Sequence, residues 1–471
     1  MSRTVYDLIG LAAGIAFILA LKGLSHPKTA RRGNLIGAFG AGLATLVVFF
    51  YSNEKSSMPL NEKSSLPLNN LGWILGAIAI GLLIGVPAAR KVQMTQMPQL
   101  VALFNGVGGG AAALVAIVEY LNLGDTATTA EVVFTVFTVI VGCVSFSGSI
   151  ITFMKLQELM TTRPVIFPAG RFIIAATLAS VLGVGGWVVN SLGTTPLLVL
   201  AGLSLLFGIL FVLPVGGADV PIVISLLNAF TGLTVAASGY VLDSTLLIIA
   251  GTLVGASGTI LTRLMAEAMG RSLFGTLFGA FTAKPQDVAA AGEERPVRSG
   301  SPDDVAILLN YARRVVIVPG FGLAVAQAQH TVRELADLMI SKGIDVAYGV
   351  HPVAGRMPGH MNVLLAEANV PYDQLQEMDE VNPTFGQTDV AIVIGANDVV
   401  NPAAQTTPGC PIYGMPILEV NNAANIIFLK RSMRPGFAGI ENELLYDPKT
   451  MLLFGDAKAS LTKVVSALKA L

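Results

Sequence analysis

Nine apolar segments fill the first 263 residues of the chain, and each is long enough to cross a bilayer core of about 30 Å as a helix. They lie at residues 4–21, 34–51, 70–89, 97–118, 132–154, 170–189, 195–214, 219–240 and 244–263. With 53% hydrophobic and only 13% charged residues, the composition agrees with a membrane protein. We therefore predict a polytopic α-helical membrane domain of about nine spans at residues 1–264.

Glycines are concentrated in several of these segments. They occur at Gly106, Gly108, Gly109, Gly110, Gly183, Gly185, Gly186, Gly251, Gly255 and Gly258. Some of these runs look like pieces of a nucleotide-binding motif, but they lie inside segments of membrane length. Because small residues allow two membrane helices to approach closely, we interpret them as helix-packing positions.

Basic residues mark alternate loops between the segments. Lysines and arginines surround the loops after the first, third and fifth segments: Lys22, Lys28, Arg31, Arg32, Arg90, Lys91, Lys155, Arg163 and Arg171. The other loops carry balanced charges, acids alone or no charge. Because cytoplasmic loops are enriched in Lys and Arg, we expect the N-terminus outside and the C-terminal part in the cytoplasm.

The composition changes after the ninth segment. Residues 265–281 predict an interfacial helix, and the polar residues 283–302, with Pro, Gly and Ser, are typical of a linker. From Asp303 the composition is that of a soluble α/β domain. Apolar runs predict strands at residues 314–318, 345–348, 390–394, 416–419, 425–429 and 451–454. Helical segments between several of them predict a Rossmann-like domain with a mostly parallel sheet at residues 303–471.

A glycine motif follows the first predicted strand. Gly320, Gly322 and Val325 form the pattern G-x-G-x-x-V, and a helical pattern continues from there to Lys342. Strand, glycine turn and helix in this order are typical of a dinucleotide-binding site. Gly322 would let the backbone approach a pyrophosphate without a Cβ in the way. An ordinary glycine turn between a strand and a helix is the alternative.

The residues after the later strands indicate which dinucleotide would bind. NAD-type sites place an Asp or Glu at the end of the second strand, and residues 345–351 have no acid there. Arg356 lies nearby, and Lys430, Arg431 and Ser432 follow the strand at 425–429. Two cations and a hydroxyl at a strand end suit a phosphate monoester, such as the 2′-phosphate of NADP(H). A solvated basic turn is the alternative.

Further polar residues follow the strand at 390–394. Asn397, Asp398 and Asn401 come after its carboxyl end, where open α/β sheets bind their ligands. They are therefore expected to project toward the cofactor crevice. A simple turn with no ligand would have the same composition.

Polar side chains also occur inside the apolar segments, where they need a reason to be present. Asp219 precedes Pro221 at the mouth of the eighth segment and is a candidate N-cap. Asn228 follows it by nine residues, about 13 Å deeper at helical rise. Asn105 and three serines, Ser145, Ser147 and Ser149, lie at comparable depth. Together they indicate a hydrated path, although interhelical hydrogen bonds would explain each one singly.

Some functional classes receive no support from the sequence. A net charge of -1 gives no electrostatic case for binding nucleic acid. The two cysteines, Cys143 and Cys410, form neither a disulfide framework nor a metal-ligand pattern, so no metal site is expected.

Eight motifs occur in one order along the chain. They lie at residues 97–101 (Met-Pro-Gln-Leu-Val), 147–149 (Ser-Gly-Ser), 217–221 (Gly-Ala-Asp-Val-Pro, with Asn228), 318–329 (the glycine motif), 353–362, 395–398, 430–433 and 436–439. Over essentially its full length, the chain resembles the β subunit of the proton-translocating NAD(P) transhydrogenases.

The resemblance implies an activity and its partners. It implies hydride transfer from NADH to NADP⁺, driven by inward proton movement across the bacterial inner (plasma) membrane. NADP(H) would be bound by this chain and NAD(H) by an alpha subunit, present as one chain or split into soluble and membrane chains. A dimer of alpha–beta units is also implied. In this family NADP(H) lies reversed relative to ordinary dinucleotide folds, and residues 436–439 form a lid over it.

Individual residues take their expected roles from the same resemblance. Those expected to bind NADP(H) are Gly320, Phe321, Gly322, Ala324, Val325, Val353, Ala354, Gly355, Arg356, Gly395, Ala396, Asn397, Asp398, Lys430, Arg431, Ser432, Gly436, Phe437, Ala438 and Gly439. Those expected to act in coupling and proton transfer are Asp398, Asp219, Asn228, Asn105 and Ser149.

The sequence departs from the family at three positions. Phe321 and Phe437 stand where many relatives carry Tyr. Asn105 stands where many carry a membrane His, and none of the four histidines lies in a predicted span. Because an amide does not titrate, we expect the titrating group in mid-membrane to belong to a membrane-spanning, alpha-type partner.

Two other classes of protein would also join membrane helices to a nucleotide-binding domain. An ion channel or transporter that senses a nucleotide predicts a selectivity filter or paired broken helices, and neither is evident. A membrane-anchored dehydrogenase needs a substrate acid or base, for which His351 and His360 are the candidates in the soluble part. Both lie in the segment that resembles a nucleotide-binding loop. Hydride exchange between two nicotinamides needs two dinucleotide sites, and the sequence has one.

Overall fold

The computed structural model describes most of the chain. It covers residues 3–25, 27–50, 71–93, 96–157, 159–161, 164–191, 193–216, 219–268, 272, 273, 275, 295–355, 359–408, 410, 412–436 and 438–471. Arg356, Phe437, most of the predicted interfacial helix and the first part of the predicted linker lie outside these ranges.

Nine long helices are found in the described part of residues 3–268. They are α1 (Arg3–Leu24), α2 (Pro27–Phe50), α3 (Leu71–Lys91), α4 (Met97–Leu123), α5 (Thr129–Leu156), α6 (Gly170–Ser191), α7 (Thr194–Val212), α8 (Val220–Val241) and α9 (Thr245–Ala268). Eight of them are long and apolar enough to cross a membrane, and the other, α2, is a 24-residue helix with three basic residues in its first turns. The prediction of a polytopic helical membrane domain is confirmed.

Helices α8 and α9 approach closely because glycines remove the side chains between them. A Cβ on Gly232 or Gly251 would collide with the backbone of the facing helix. A Cβ on Gly258 would lie 3.0 Å from the Cα of Ala229. The interpretation of these glycines as packing positions is therefore confirmed.

Helices α4 and α5 meet in a similar way. A Cβ on Gly106 would lie 3.0 Å from the Cβ of Ser149, and one on Gly109 would lie 3.0 Å from the Cβ of Ser145. This close approach brings the serines of α5 next to α4. Gly183 and Gly186 differ, because no described atom lies within 4 Å of their Cβ positions.

Residues 295–471 form an α/β unit around one sheet of six strands. The strands are β1 (Arg314–Pro319), β2 (Asp345–Val350), β3 (Leu375–Glu377), β4 (Val390–Ile394), β5 (Asn425–Lys430) and β6 (Thr450–Phe454). Their order is β3-β2-β1-β4-β5-β6, and all neighbours are parallel. The predicted parallel Rossmann-like sheet is confirmed.

Short helices and loops cover the sheet. The helices are α10 (Pro302–Asn310), α11 (Phe321–Val325), α12 (Gln329–Ser341), α13 (His360–Glu367), α14 (Met378–Val381), α15 (Ala403–Thr406) and α16 (Ala457–Ala470). Strands β1 and β4 are almost completely buried, as expected for apolar strands covered on both faces. One hydrophobic cluster extends from Val305 to Leu468, so this unit has its own core.

The end of the predicted linker already belongs to the α/β unit. The N–H of Gly300 donates to the carbonyl of Leu452 on β6 over 2.9 Å, and the N–H of Leu452 donates to the carbonyl of Arg298 over 2.8 Å. Ser301 then caps α10 through a reciprocal pair of hydrogen bonds with Asp304.

One predicted strand is wrong and one observed strand was not predicted. Ile417 and Leu418 are buried, but the backbone groups of residues 416–419 bond outside the sheet. The Pro416 carbonyl meets His351, Asn382 bonds the carbonyl of Ile417 and the N–H of Glu419, and the N–H of Leu418 donates to the carbonyl of Val399. The segment therefore has no place in the sheet. Strand β3 is only three residues long and pairs with the end of β2.

The helix predicted after the glycine motif is interrupted. Helix α11 has five residues, and the chain then turns before α12 begins at Gln329. Gln327 in this turn has a φ of 50°, in the left-handed region that a helix cannot include. The predicted continuous helix to Lys342 is thus divided in two.

Candidate functional site

The candidate cofactor crevice lies at the carboxyl ends of β1 and β4. The strand order reverses between these two neighbours, and ligands of open α/β sheets bind at such a switch point. The glycine motif follows β1 and residues 395–398 follow β4. These two segments are about 70 residues apart in the sequence, and the pairing of β1 with β4 makes them adjacent at the edge of the sheet.

Glycine is required in these two turns because their backbones touch. The N–H of Gly320 donates to the carbonyl of Ile394 over 2.9 Å, and that of Gly322 donates to the carbonyl of Gly395 over 3.2 Å. A Cβ on Gly322 would lie 2.7 Å from the Cα of Gly395, and one on Gly320 would lie 2.6 Å from the Cβ of Ala396. Gly395 itself has a φ of 69°. The packing of the two turns thus accounts for the glycines before any ligand is considered.

Phe321 and the following helix line one side of this crevice. The ring of Phe321 lies 6.1 Å from the ring of His360, centroid to centroid. Ala324 is buried in the core and Val325 is 45% exposed, so these two predicted residues point in different directions. Gly355 has a φ of 113°, and a Cβ there would collide with the His360 ring. Phe321 and Gly355, two predicted cofactor-binding residues, therefore both lie against His360, which was not among them.

The loop after β2 is held by a buried histidine. His351 Nε2 lies 2.8 Å from the carbonyl of Pro416, and its Nδ1 accepts a hydrogen bond from the N–H of Val353 over 3.2 Å. This pattern requires a neutral imidazole with the proton on Nε2. Burial lowers the pKa of His351 to about 4, and the bond to Pro416 opposes this only in part. Ala354 is buried beside it.

No acidic residue closes β2, which ends at Val350.

Val353 follows in the loop and packs against a small apolar cluster of Ile222, Met265 and Ala266. Ile222 lies in the first turn of α8, and Met265 and Ala266 lie near the end of α9. The loop after β2 therefore contacts the ends of two long apolar helices.

Asp398 connects the turn after β4 with the described part of residues 436–439, the segment that the resemblance predicts to be a lid. Its Oδ1 accepts a hydrogen bond from Asn397 Nδ2 over 3.1 Å, and its Oδ2 accepts one from the N–H of Ala438 over 2.9 Å. A Cβ on Gly436 would collide with this carboxylate, so glycine is needed for the lid to lie upon it. Gly439 closes the turn with a φ of 72°.

Two buried amides hold the base of the lid. Asn401 Nδ2 donates to the carbonyl of Glu441 over 3.1 Å, and Asn442 Nδ2 donates to the carbonyl of Asn397 over 2.9 Å. Asn401 is 0% exposed and Asn442 1%. Sequence reasoning did not single out Asn442, because nothing in a lone Asn before a short helix indicates which carbonyl it reaches.

The side chains of the predicted basic cluster, Lys430 and Arg431, point in two different directions. Lys430 is partly buried, and its Nζ donates to Asn397 Oδ1 over 3.2 Å and to the carbonyl of Arg434 over 3.1 Å. Burial lowers the pKa of Lys430, while Asp398 and Glu441 oppose that shift. Arg431 and Ser432 are exposed instead.

Arg431 lies toward a different part of the unit. Its guanidinium is 3.6 Å from a carboxylate oxygen of Asp456, the residue that caps α16. Both side chains of this pair are well exposed, which makes it a weak contact that an anionic ligand can displace.

A polar network joins α4, α5 and α8 inside the helical part. Asn105 Nδ2 donates to Ser149 Oγ over 3.0 Å and to Ser145 Oγ over 3.3 Å. Ser145 Oγ lies 2.6 Å from Thr231 Oγ1 and 3.1 Å from the carbonyl of Leu227. Thr231 was not predicted, although it lies three residues after Asn228 on the same helix.

Asn105 keeps one buried polar atom without a partner among the described residues. Its Oδ1 is inaccessible and accepts no hydrogen bond there. A buried acceptor of this kind is normally satisfied by a water molecule or by another chain. Asn228, half-buried on α8, makes no hydrogen bond to the described residues, and Ser147 bonds the Cys143 carbonyl of its own helix. The network therefore includes Ser149 and Asn105 but not Ser147.

Asp219 begins α8, as the sequence indicated. It is the N-cap residue, with Pro221 in the first turn, and it is 7% exposed. Its side chain makes no capping hydrogen bond, so only the predicted position of the cap is confirmed.

Comparison with known proteins agrees with these features. The family described as NAD(P) transhydrogenase beta subunit matches residues 6–467. Two sequences from Rhodospirillum rubrum, each named NAD(P) transhydrogenase subunit beta, are 46% identical to the chain over 467 residues, which is 97% of this chain and 98% of each relative. The chain belongs to the family of NAD(P) transhydrogenase beta subunits.

Proposed function

We propose that this chain binds NADP(H) and couples hydride transfer from NADH, held by a partner alpha subunit, to NADP⁺ with proton movement across the membrane. The reaction would be that of a Re/Si-specific NAD(P)⁺ transhydrogenase. The strongest support is the crevice at the switch point of the parallel sheet, where the glycine motif, Asp398 and the lid meet.

The residues at this crevice fit NADP(H) better than NAD(H). When bound, NADP(H) donates or accepts the hydride at its nicotinamide ring. Strand β2 ends without the acid that an NAD-type site places against the ribose hydroxyl. Arg431 and Ser432 lie exposed after β5, and Lys430 lies beside them with its ammonium toward Asn397. Arg431 and Ser432 would hold a 2′-phosphate, with Lys430 and Arg356 as further candidates.

A calorimetric titration of residues 295–471 tests this assignment. The unit contains its own core, so it can be studied without the helices. We expect NADP(H) to bind at least about 100-fold more tightly than NAD(H), because charge-assisted bonds to the phosphate are absent with NAD(H). Arg431→Ala should remove most of that difference. The matched control is Arg313→Ala, an exposed arginine at the opposite end of β1. Equal affinities for the two cofactors would refute the assignment.

A partner must supply the second nicotinamide. The chain has one dinucleotide motif, and hydride exchange between two nicotinamides needs two sites. We therefore propose an NAD(H)-binding alpha subunit, as one chain or split into soluble and membrane chains, in a dimer of alpha–beta units. This chain alone is expected to catalyse no hydride transfer.

The proton path would run beside the network of Asn105, Ser145, Ser149 and Thr231. These side chains are amides and hydroxyls, which relay hydrogen bonds but do not change charge near pH 7. We propose that Asn105 Oδ1 and Asn228 order water molecules in this path, and that Asp219 stands at its cytoplasmic mouth. The titrating group in mid-membrane would come from a span of the partner packed against α4, α5 and α8.

The same proposal assigns the parts of the chain. Residues 1–264 would form the proton-translocating domain, residues 265–302 the connection, and residues 303–471 the NADP(H)-binding domain. The N-terminus would lie outside a bacterial inner (plasma) membrane and the NADP(H)-binding domain in the cytoplasm, following the distribution of Lys and Arg.

A further inference from the structure

Lys155 is a buried cation that the proposed mechanism does not yet use. It is the last residue but one of α5. From the sequence it was predicted to be one of the basic residues of a cytoplasmic loop. The structure shows it 0% exposed. A buried ammonium in a membrane-length helix is costly unless each of its hydrogens has an acceptor, so its surroundings need an explanation.

The surroundings of Lys155 form a complete cation site made of backbone carbonyls. Its Nζ donates to the carbonyls of Val212 over 3.1 Å, Leu213 over 2.6 Å and Val215 over 2.7 Å. An ammonium has three hydrogens, and all three are used. None of the ion pairs among the described residues includes Lys155. The site is therefore built from the peptide groups of one turn and not from a carboxylate.

These carbonyls belong to the end of α7 and to the turn that follows it. Helix α7 ends at Val212, and the last carbonyls of a helix have no partner within the helix and lie at the negative end of its dipole. Lys155 satisfies them from a neighbouring helix. The N–H of Val165 adds a second bond to the carbonyl of Leu213, over 3.1 Å. The turn after α7 is thus held from two sides.

Asp219, the N-cap of α8, lies close to this turn and bonds back to it. Val215 N–H bonds the carbonyl of Val212, and Asp219 N–H bonds the carbonyl of Gly216 over 3.0 Å. Asp219 lies only four residues beyond Val215, whose carbonyl accepts a hydrogen bond from Lys155 Nζ. The bond to Gly216 therefore ties Asp219 to the turn whose carbonyls Lys155 holds against α5.

Helix α5 carries both Lys155 and the serines of the polar network around Asn105. Ser149, which bonds Asn105, precedes Lys155 by six residues, or about 9 Å along one straight helix. The apolar contacts between these ends involve Val212, Val223 and Leu227. A rigid helix thus links the polar network to the turn that carries Asp219.

We propose that Lys155 is a positioning residue for Asp219. Its ammonium fixes the end of α7 and the following turn to α5, and so sets the separation between Asp219 and the network around Asn105. This inference rests on the proposed role of Asp219 at the mouth of the proton path. Lys155 itself carries no proton in this scheme.

The test uses the assembled enzyme in vesicles with an imposed proton gradient. Lys155→Met keeps the length of the side chain but has no donors, and Lys155→Arg keeps a cation with several. We expect Lys155→Met to lower the gradient-driven rate by about 10- to 100-fold with an unchanged KM for NADP⁺, since a displacement of about 1 Å is enough for such a loss. Lys155→Arg should recover a large part of the rate. Lys91→Met, at the exposed end of α3, is the matched control.

A double variant separates positioning from general disruption of the helices. If Lys155 acts through Asp219, Lys155→Met should cause no further loss in an Asp219→Asn background. Losses that multiply would overturn the proposal, as would full activity of Lys155→Met. If Lys155→Met does not accumulate in the membrane, Lys155→Leu, which also has no donors, replaces it, and a rate equal to wild type would again refute positioning.

The same experiment distinguishes failure of this inference from failure of the proposed function. Full activity of Asp219→Asn would remove Asp219 from the proton path, and the proposed path would be wrong. A strongly slowed but measurable Asp219→Asn together with an unaffected Lys155→Met would leave the path standing and refute the role of Lys155.

Discussion

At the scale of single residues, Asp398 is the side chain that joins the two halves of the candidate crevice. One carboxylate oxygen accepts a bond from Asn397, and the other accepts the N–H of Ala438 in the lid. Hydrogen bonds to a charged acceptor contribute about 1.5–3 kcal/mol each. A change at this carboxylate is therefore transmitted directly to the lid.

Replacement of Asp398 by Asn should weaken this link. The amide keeps one acceptor oxygen where the carboxylate offers two, so one of the two bonds is lost. We expect Asp398→Asn to lower the proton-coupled rate at least about tenfold, equivalent to about 1.4 kcal/mol, while residues 295–471 still fold, with a free energy of unfolding lower by about 1.5–3 kcal/mol for the lost bond. The exposed Asp373→Asn is the control. Full coupled activity would remove Asp398 from the mechanism.

His351 gives a second prediction at this scale, concerning stability and pH. In the folded unit its pKa is lowered from 6.5 to about 4 by burial. Between these values the unfolded chain binds a proton that the folded unit does not. The stabilising contribution is thus complete above about pH 6.5 and is lost as the pH falls toward 4, by about 3 kcal/mol in total.

Urea unfolding of residues 295–471 measures this effect. The pH range of about 4.5 to 7.5 covers most of the interval between the two pKa values of His351. His351→Gln should be less stable than wild type at the upper end, because its bonds to Pro416 and Val353 are altered. The difference between the two proteins should shrink as the pH falls. The exposed His330→Gln should follow the wild-type curve. Parallel curves for His351→Gln and wild type would contradict the assignment of a buried neutral imidazole.

At the scale of elements, apolar runs predicted five of the six strands, and the failures have a common cause. Residues 416–419 were predicted as a buried strand, but Asn382, His351 and the carbonyl of Val399 satisfy their backbone groups. Strand β3 has three residues and no apolar run, and only its neighbour β2 makes it a strand. Composition reports burial, whereas sheet membership depends on partners that are distant in the sequence.

The glycine motif is the clearest success at this scale, for a reason only partly anticipated. Its position after β1 was predicted from the pattern of strand, turn and helix. Its backbone contact with Gly395 was not, because the sequence does not indicate which turn lies against which. The glycines are therefore needed for the fold itself.

This contact predicts that Gly322→Ala destabilises the α/β unit even without a nucleotide. The added Cβ would lie 2.7 Å from the Cα of Gly395, and forcing apart packed backbone costs about 1–3 kcal/mol. Urea unfolding of residues 295–471 should show this loss. Gly386→Ala is the matched control, since no described atom lies within 4 Å of its Cβ position. If Gly322→Ala matched Gly386→Ala in stability, the turn-to-turn contact would be wrong.

At the scale of the whole molecule, hydropathy predicted the division into membrane helices and an α/β unit. It did not predict which faces of the helices meet. Thr231 was missed and Lys155 was assigned to a loop for this reason, because a hydroxyl or ammonium gains its role from the rotation and pairing of its helix. Membrane periodicity is weak when nearly every position of a helix is apolar.

The proposed division of the proton path predicts different results for two substitutions. Asn105→Ala removes the donor to Ser149 and Ser145, and it should lower the coupled rate by about tenfold without abolishing it, because water can replace part of the network. Removing a titratable side chain from a membrane span of the alpha partner should abolish coupling. Both are measured as proton movement per hydride transferred in reconstituted vesicles. Persistent coupling with a partner that has no titratable residue in its spans would contradict the proposal.

The neutrality of the network around Asn105 has an electrical consequence. A transmembrane voltage does work only on charge, about 2.3 kcal/mol for each elementary charge moved through 100 mV. Rotating an amide or a hydroxyl within the bilayer moves no net charge, so the voltage does almost no work on these side chains. If the proton passes beside them, as proposed, the voltage acts on that proton and on the group that carries it. The voltage dependence of the assembled enzyme should then follow the subunit that holds the titrating residue, while the network around Asn105 contributes no moving charge.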